Sequence, residues 1–208
     1  MNKNIENLFV NLKKRNIPAF YFKDRADFLK EILRIIPKEA SIGFSGSQTL
    51  SQLGLLNELK ERGNPVFDPY QKEISPSESH RIRREATQAD FYLVSPNAIS
   101  LEGEFIFFSA YGNRIAGVAY ANKVLIISGI NKITPDFNSA IKRAREYSTP
   151  LNCKRLNWKS ACFDDGLCKK DICFLPEFKR MCSQILIIEN EIIPERISLF
   201  LINENLGF

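Results

Sequence analysis

A short run of small and polar residues at positions 46–49 carries the most recognisable chemistry in this sequence. It follows an apolar segment and precedes helical spacing at 50–62, so the pattern predicts a strand, a tight turn and a helix start. The glycine permits close approach to the backbone, the hydroxyls can cap the helix, and free N–H groups there attract anions. We predict that the turn binds a phosphate or a carboxylate; the alternative is a plain strand–helix corner with a serine cap. The predicted binding residues are Gly46, Ser47, Gln48 and Thr49.

Polar side chains also follow two other predicted strands. Asn97 comes after the apolar segment 91–94, and Asn131 and Lys132 come after the β-branched segment 124–127. The carboxyl ends of parallel strands meet at one edge of a sheet, so these side chains are expected to lie near the turn and to form a site for a polar ligand. The alternative is that both asparagines only satisfy the backbone of turns, which is their commonest use.

An arginine beside turn-forming residues supplies a third part of the predicted site. In Gly112-Asn113-Arg114, the guanidinium is a planar fork that suits a carboxylate or a phosphate, and the small neighbours leave room for an anion. The alternative is an ion pair that fixes the turn. Two other basic groups, at 81–84 and 142–145, lie in helical patterns and are interpreted as solvated helix faces.

Candidates for acid–base chemistry are few. Glu102 is the candidate catalytic carboxylate, because it follows the same predicted strand as Asn97. His80 is the single histidine, and its helical neighbourhood beside arginines predicts a surface position, so no Ser-His-Asp arrangement is supported. The sequence leaves open whether the protein catalyses a reaction.

Four of the five cysteines follow one another in the spacing C-x5-C-x4-C-x8-C. Thiols at this density suggest a soft metal, either an iron–sulfur cluster or a zinc ion. The spacing contains no C-x-x-C pair, and the alternative is a set of buried thiols without a metal. Cys153 lies outside the pattern and is interpreted as structural. The predicted ligands are Cys162, Cys168, Cys173 and Cys182.

Length and composition are those of an ordinary globular protein, with 208 residues, 44% hydrophobic and 25% charged. The net charge of +5 is too small to indicate nucleic-acid binding. No apolar stretch has the length of a membrane span, and residues 1–16 have the spacing of an amphipathic helix rather than that of a signal peptide. Together with an odd number of cysteines, these features predict a cytoplasmic protein.

Predicted strands and helices alternate from residue 19 to residue 147. This order favours an α/β fold with a mostly parallel sheet flanked by helices. We expect a single domain over residues 1–208, with a helical N-terminal part at 1–38 and a cysteine-containing loop excursion at 150–183. Two apolar strands then return to complete the sheet.

The ordered set of motifs resembles the stand-alone form of the lactate-utilisation (LUD) domain family over nearly the whole chain. The matching residues are Gly46-Ser47-Gln48-Thr49, Gly54-Leu55, Ala89-Asp90, Asn97-Ala98-Ile99, Gly103, Gly112-Asn113-Arg114, Asn131-Lys132, Pro150, Lys154-Arg155-Leu156 and Asn205-Leu206-Gly207. The resemblance implies the fold of glucosamine-phosphate isomerases, ribose-phosphate isomerases and coenzyme A transferases. It also implies a link to the use of lactate or other organic acids, and its association with redox work favours iron–sulfur over zinc at the cysteines.

The chain departs from these relatives at two places. The acyl-accepting glutamate of coenzyme A transferases corresponds here to Leu101, and Glu102 lies one residue later, where a strand side chain would face the other side. Where the family tends to carry Asp-Gly, this chain has Ser109-Ala110, which cannot ionise. A covalent acyl–glutamate mechanism is therefore not expected.

Two functions are favoured on the sequence alone over a third, a catalyst of isomerase or acyl-transfer type, against which Leu101 and the lack of a usable histidine weigh. The first is binding of a small anionic ligand, such as a carboxylate, a phosphate or a molecule like coenzyme A, in organic-acid metabolism. The second is a non-catalytic redox or assembly subunit whose cysteine cluster serves redox partner proteins. A homo-oligomer is compatible with both.

Overall fold

The computed structural model describes residues 2–208. The α-helices are α1 (Lys3–Lys14), α2 (Arg25–Ile35), α3 (Gln48–Leu53), α4 (Leu55–Arg62), α5 (Pro76–Ala86), α6 (Asn113–Tyr120), α7 (Phe137–Arg143) and α8 (Thr149–Arg155). The strands are β1 (Ala19–Phe22), β2 (Ile42–Phe44), β3 (Val66–Phe67), β4 (Phe91–Val94), β5 (Ala98–Ser100), β6 (Phe105–Ser109), β7 (Lys123–Gly129), β8 (Ile133–Thr134), β9 (Gln184–Ile188) and β10 (Ile197–Ile202). A 3-10 turn, Ile130–Lys132, precedes β8, and a π-helical turn, Ala144–Ser148, joins α7 to α8.

Six strands form a parallel sheet in the order β1-β10-β7-β4-β2-β3. Its central strands are nearly continuous apolar runs, because layers on both faces bury them. Leu93 and Leu125 face a core shared with α2, α3 and α4, whereas Val94 and Ile126 face the opposite core, which α1 covers. The predicted α/β fold with a mostly parallel sheet is confirmed.

A smaller sheet in the order β8-β5-β6-β9 packs against the same core as α1. It contains two antiparallel pairs, β5 with β6 and β6 with β9. The expectation that both last strands complete the main sheet was wrong for β9. Residues along β9 are exposed or half-buried, as in the edge strand of a small sheet, whereas β10 is buried along its whole length in the main sheet.

One predicted helix differs from the sequence expectation, and polar side chains cap two others. The helix predicted at 50–62 is two helices, because Gly54 adopts a left-handed conformation (φ 68°) that ends α3. Ser75 caps α5, since its side chain accepts a hydrogen bond from the backbone N–H of Glu78. Asp136 caps α7, and the chain stays helical through the π turn to the end of α8. Among residues 2–208, no helix combines the length and the apolar character needed to cross a membrane.

Two glycines let helices α5 and α6 lie close to the sheet. A Cβ at Gly43 in β2 would lie 1.8 Å from the carbonyl oxygen of Ala86 in α5, and a Cβ at Gly117 in α6 would lie 2.2 Å from the ring of Tyr92. The Tyr92 ring is fully buried between the two contacts. Because glycine has no side chain, α5 and α6 can pack this closely. Both helices carry arginines of the site described below.

The segment between α8 and β9 contains turns but no helix or strand. Its two ends are tied together, because the Trp158 indole N–H donates to the carbonyl of Lys179 at 2.6 Å and the backbone N–H of Lys179 donates to the carbonyl of Lys159 at 2.9 Å. These bonds hold Trp158 half-buried at the start of the segment.

Candidate functional site

A large cavity of about 620 Å³ lies at the carboxyl ends of strands β2 and β4, where the N-terminus of α6 and helix α8 complete its wall. A smaller recess of about 40 Å³ adjoins it. We call these spaces the large cavity and the inner recess. This edge of an open α/β sheet is the usual place for a ligand. The residues that line both spaces are Gly46, Ser47, Asn97, Arg114 and Asn152.

The turn after β2 forms one wall of both spaces. The hydroxyl of Ser47 caps α3 and accepts a hydrogen bond from the backbone N–H of Leu50 at 3.3 Å. The N–H of Gly46 donates to the hydroxyl of Tyr70 at 2.8 Å, so this backbone donor already has a protein partner. Since α3 is only six residues long, the positive charge near the turn comes from side chains of other elements.

Arg114 reaches from the first turn of α6 to the turn after β2. Its Nη2 donates to the carbonyl of Gly46 at 2.6 Å, and its Nε donates to the hydroxyl of Ser45 at 3.1 Å. Burial lowers the pKa of the guanidinium, and the positive charge of nearby Arg155 acts in the same direction. Within residues 2–208 no carboxylate forms an ion pair with Arg114. The side chain therefore places a partly buried positive charge on the cavity wall.

Asn97 joins three elements beside Arg114. Its Oδ1 accepts hydrogen bonds from the backbone N–H of Phe108 at 2.8 Å and from Nη1 of Arg114 at 3.3 Å. Its Nδ2 donates to the hydroxyl of Ser148 at 2.8 Å. Asn97 thus has protein partners for both ends of its amide and fixes the loop after β4 against β6 and the π turn.

Lys132 lies at the inner recess with only 5% of its surface exposed. Its Nζ donates to the hydroxyls of Thr49 and Ser95, both at 2.9 Å, and to the carbonyl of Pro96 at 3.2 Å. None of these acceptors carries a negative charge. Burial lowers the pKa of the Lys132 amine well below 10.5, and the positive charges of Arg143 and Arg114 lower it further. A buried amine without a counterion is costly in free energy, so an anion in the recess would stabilise it.

Other predicted site residues lie in different surroundings. Gln48 lines the inner recess, and Asn113 lines the large cavity. Asn131 accepts a hydrogen bond from the backbone of Leu206 at 3.0 Å and lines neither space. The carboxylate of Glu102 accepts from the first N–H of α7 at 3.2 Å, also outside both spaces. His80 is exposed on α5, as expected.

Arg83 is a cavity residue that the sequence analysis missed. The basic group at 81–84 has a helical period, which suggests a solvated face, and Arg81 does lie exposed in ion pairs with Glu78 and Glu85. Arg83 points to the large cavity instead, with its guanidinium carbon 5.5 Å from the ring centre of Tyr70 and 5.6 Å from that of Tyr111. Its position two residues after Arg81 was the available signal, because that spacing places it on another side of the helix.

Helix α8 and the segment after it add further cavity residues that the sequence analysis did not assign to the site. Arg155 and Trp158 line the large cavity, and the Trp158 ring packs edge-on against Tyr111 with centroids 5.7 Å apart. Arg155 donates to the side-chain oxygen of Asn152 at 2.8 Å and pairs with no carboxylate in the part of the chain that the structure describes. The family motif around Lys154 pointed to this region without giving a role.

The five cysteines line a third, small cavity that shares Thr149 and Met181 with the large cavity. Cys153, interpreted from the sequence as separate, belongs to this group. A hydrogen bond from Cys153 to Cys162 lowers the pKa of the Cys162 thiol. Across residues 2–208, no group of three cysteine, histidine or acidic side chains is placed to hold a metal ion in this arrangement. All five cysteines are free thiols in this arrangement.

The fold and the site together define an α/β protein with a positively charged cavity at the carboxyl ends of its parallel sheet. The model of the LUD domain family matches residues 5–202, and the chain belongs to this family. The chain is similar in structure to a DUF162 family protein from Deinococcus radiodurans, with a TM-score of 0.56, 9% sequence identity and 96% of each chain covered. That likeness shows the fold. A comparison with curated proteins finds no match to this chain.

Proposed function

We propose that this protein binds a small anionic ligand, with a carboxylate or a phosphate of that ligand in the inner recess. The family name links LUD domains to lactate utilisation. We therefore propose that the ligand belongs to organic-acid metabolism. The observation that carries the proposal is the gathering of positive side chains without carboxylate partners around one connected space.

Half of the ten arginines outside the large cavity form ion pairs among residues 2–208, whereas none of the three that line it does. Five arginines outside the cavity pair with carboxylates at 2.5 or 2.6 Å. They are Arg15, Arg25, Arg34, Arg81 and Arg196. By contrast, the structure of residues 2–208 shows no such partner for the cavity arginines or for Lys132. Like charges brought together in a partly buried space cost free energy that a bound anion offsets.

In this proposal the recess residues have different tasks. Lys132 supplies a buried positive charge, and Arg114 supplies a guanidinium whose fork can donate hydrogen bonds to two oxygens of one anion. Ser47 and Gln48 add neutral polar groups at the same wall. The hydrogen bonds of Asn97 to its protein neighbours keep Arg114 in place, so we assign Asn97 mainly a positioning role.

A thermal-shift panel with purified protein tests the proposal. The panel contains lactate, pyruvate, inorganic phosphate, pyrophosphate, coenzyme A and sugar phosphates. We expect at least one anion to raise the melting temperature of the wild type, and Arg114→Ala to weaken its binding about 10- to 100-fold, as for loss of a hydrogen-bonded charge. Arg114→Lys should fall between the two, because it keeps the charge but not the fork.

The matched control is Arg34→Ala, which removes an exposed arginine of α2 that pairs with Glu31 far from the site. It should leave anion binding unchanged, and circular dichroism establishes that each variant is folded. The proposal fails if no anion in the panel stabilises the wild type, or if folded Arg114→Ala and Arg114→Lys both bind as the wild type does.

A redox or assembly role for the cysteine cluster stays a separate prediction. It is supported by the five thiols around one cavity, with Arg145, Lys169 and Lys170 also lining it. Cationic side chains favour the thiolate form that binds soft metals. Iron and zinc analysis of anaerobically purified protein tests the metal, with one cluster or ion per chain expected on this prediction. Folded, colourless protein with less than one tenth of an equivalent of either metal would contradict it.

A further inference from the structure

Aromatic side chains and one arginine surround the opening of the large cavity. Tyr70, Tyr111, Trp158 and Arg83 form this group, which we call the aromatic rim. Arg83 contacts both tyrosine rings, and Tyr111 packs edge-on against Trp158. The contacts link side chains from α5 and from three separate loops into one surface.

Both tyrosines of the rim are largely exposed. The tyrosines are large side chains that line a cavity, yet Tyr70 is 49% exposed and Tyr111 is 66% exposed. Free aromatic faces beside a cavity offer stacking surfaces for a planar ring. Stacking on an aromatic side chain strengthens the binding of a nucleic-acid base.

Positive charge extends from the rim to the inner recess. Arg83 lies in the rim, Arg155 lies near Tyr70 and Arg114, and Arg114 borders the recess. Asp68 is the acidic residue of the cavity wall, and its carboxylate pairs with Lys60 at 2.6 Å. A ligand that spans the cavity therefore meets a planar stacking surface at one end and several guanidinium groups along its length.

Size separates the candidate ligands. A cavity of about 620 Å³ is in the range that encloses molecules with many more heavy atoms than a three-carbon hydroxy acid. Such an acid would occupy the inner recess and leave both the rim and Arg155 without a contact. Only a ligand with a planar ring and more than one anionic group would contact both the aromatic rim and the arginines of the cavity.

We propose that the ligand of the large cavity carries a nucleoside diphosphate group, with its base on the aromatic rim and its phosphates on Arg83, Arg155 and Arg114. This inference rests on the proposed function, because it extends the anion of the inner recess to a longer molecule. A phosphate suits a guanidinium fork, and a base suits an aromatic face.

Isothermal titration calorimetry with ADP, pyrophosphate and adenosine tests the inference. We expect wild-type protein to bind ADP at least 10-fold more tightly than pyrophosphate, and adenosine more weakly than ADP. Trp158 is the only tryptophan, so its fluorescence reports locally on the rim. ADP should change that fluorescence, whereas pyrophosphate should leave it nearly unchanged.

Tyr111→Ala is the test variant, and Tyr120→Ala is its matched control, because Tyr120 is 92% exposed on α6 and lies outside the cavity. Tyr111→Ala should lower the affinity for ADP to that for pyrophosphate and leave the affinity for pyrophosphate unchanged. Tyr120→Ala should bind both as the wild type does. Melting temperatures of both variants establish that they are folded.

The outcomes separate this inference from the proposed function. If pyrophosphate binds and its binding depends on Arg114, but ADP binds no more tightly, the nucleoside part is wrong and the anion site stands. An unchanged preference for ADP in Tyr111→Ala would overturn the placement of the base on the rim. If neither ADP nor pyrophosphate binds, and no other anion does, both proposals fail.

Discussion

Replacing Lys132 by methionine will weaken anion binding about 10- to 100-fold, the cost expected for loss of one hydrogen bond from a charged donor. Lys132 is buried against the inner recess, and its amine contacts only neutral oxygens of Thr49, Ser95 and Pro96. Methionine has a similar length and no charge. Calorimetry with the tightest anion of the thermal-shift panel measures the loss.

The same substitution has a predictable effect on the pH dependence of stability. The pKa of Lys132 in the folded protein lies well below 10.5, mainly through burial and also through the nearby guanidinium groups of Arg143 and Arg114. Between that lowered pKa and 10.5, the unfolded chain binds a proton at Lys132 that the folded chain does not, so this residue makes folding more favourable as pH rises. Relative to Lys132→Met, the wild type should gain stability from pH 7 towards pH 10.

Ligand affinity should change with pH in the direction opposite to stability. An anion next to Lys132 raises its pKa again, so binding is coupled to protonation and the affinity should fall as pH rises above neutral. Lys132→Gln is the second variant, since its amide keeps a donor for the neighbouring oxygens and guards against loss of folding. Parallel pH profiles of wild type and both variants, in stability and in binding, would contradict the assignment of a buried, uncompensated amine.

The fold could be predicted from the sequence wherever consecutive residues of a strand are all buried. Continuous apolar segments predicted the strands β2, β4 and β7, because a strand covered on both faces has no polar side. The second sheet was not predicted, because it includes a strand that pairs with a partner far away in the sequence, and no local pattern specifies that partner. Strand β9, for example, follows the cysteine segment and pairs with β6 rather than with the main sheet.

The candidate site was only partly predictable for a similar reason. Gly46, Ser47, Asn97 and Lys132 follow strand ends, and parallel topology alone is enough to bring such positions together. Arg83 and Trp158 reach the cavity through the crossing of α5 over β2 and through the path of an irregular segment. Neither is encoded in a local pattern, and the helical period of the basic group even favoured a solvated position for Arg83.

That crossing of α5 over β2 leads to the second large effect, which we expect from Gly43→Ala. The new methyl group would lie 1.8 Å from the carbonyl oxygen of Ala86 and 3.1 Å from the Tyr92 ring, in a fully buried contact. The backbone of α5 must move to accommodate it. We expect a loss of about 3 kcal/mol or more, the upper part of the range for overpacking, and a melting temperature lower by roughly 6–12 °C.

Gly166→Ala is the matched control for Gly43→Ala. Gly166 has a positive φ of 75°, has no neighbour within 4 Å of a new Cβ and does not line the large cavity, so alanine there should cost only the backbone strain of about 1–2 kcal/mol. If Gly43→Ala stays folded, α5 moves outward and carries Arg83 away from Tyr70, so ADP affinity should fall while Gly166→Ala keeps it. Equal losses of stability in the two variants, or an unchanged ADP affinity in Gly43→Ala, would mean that this glycine contact does not position the helix that brings Arg83 to the cavity.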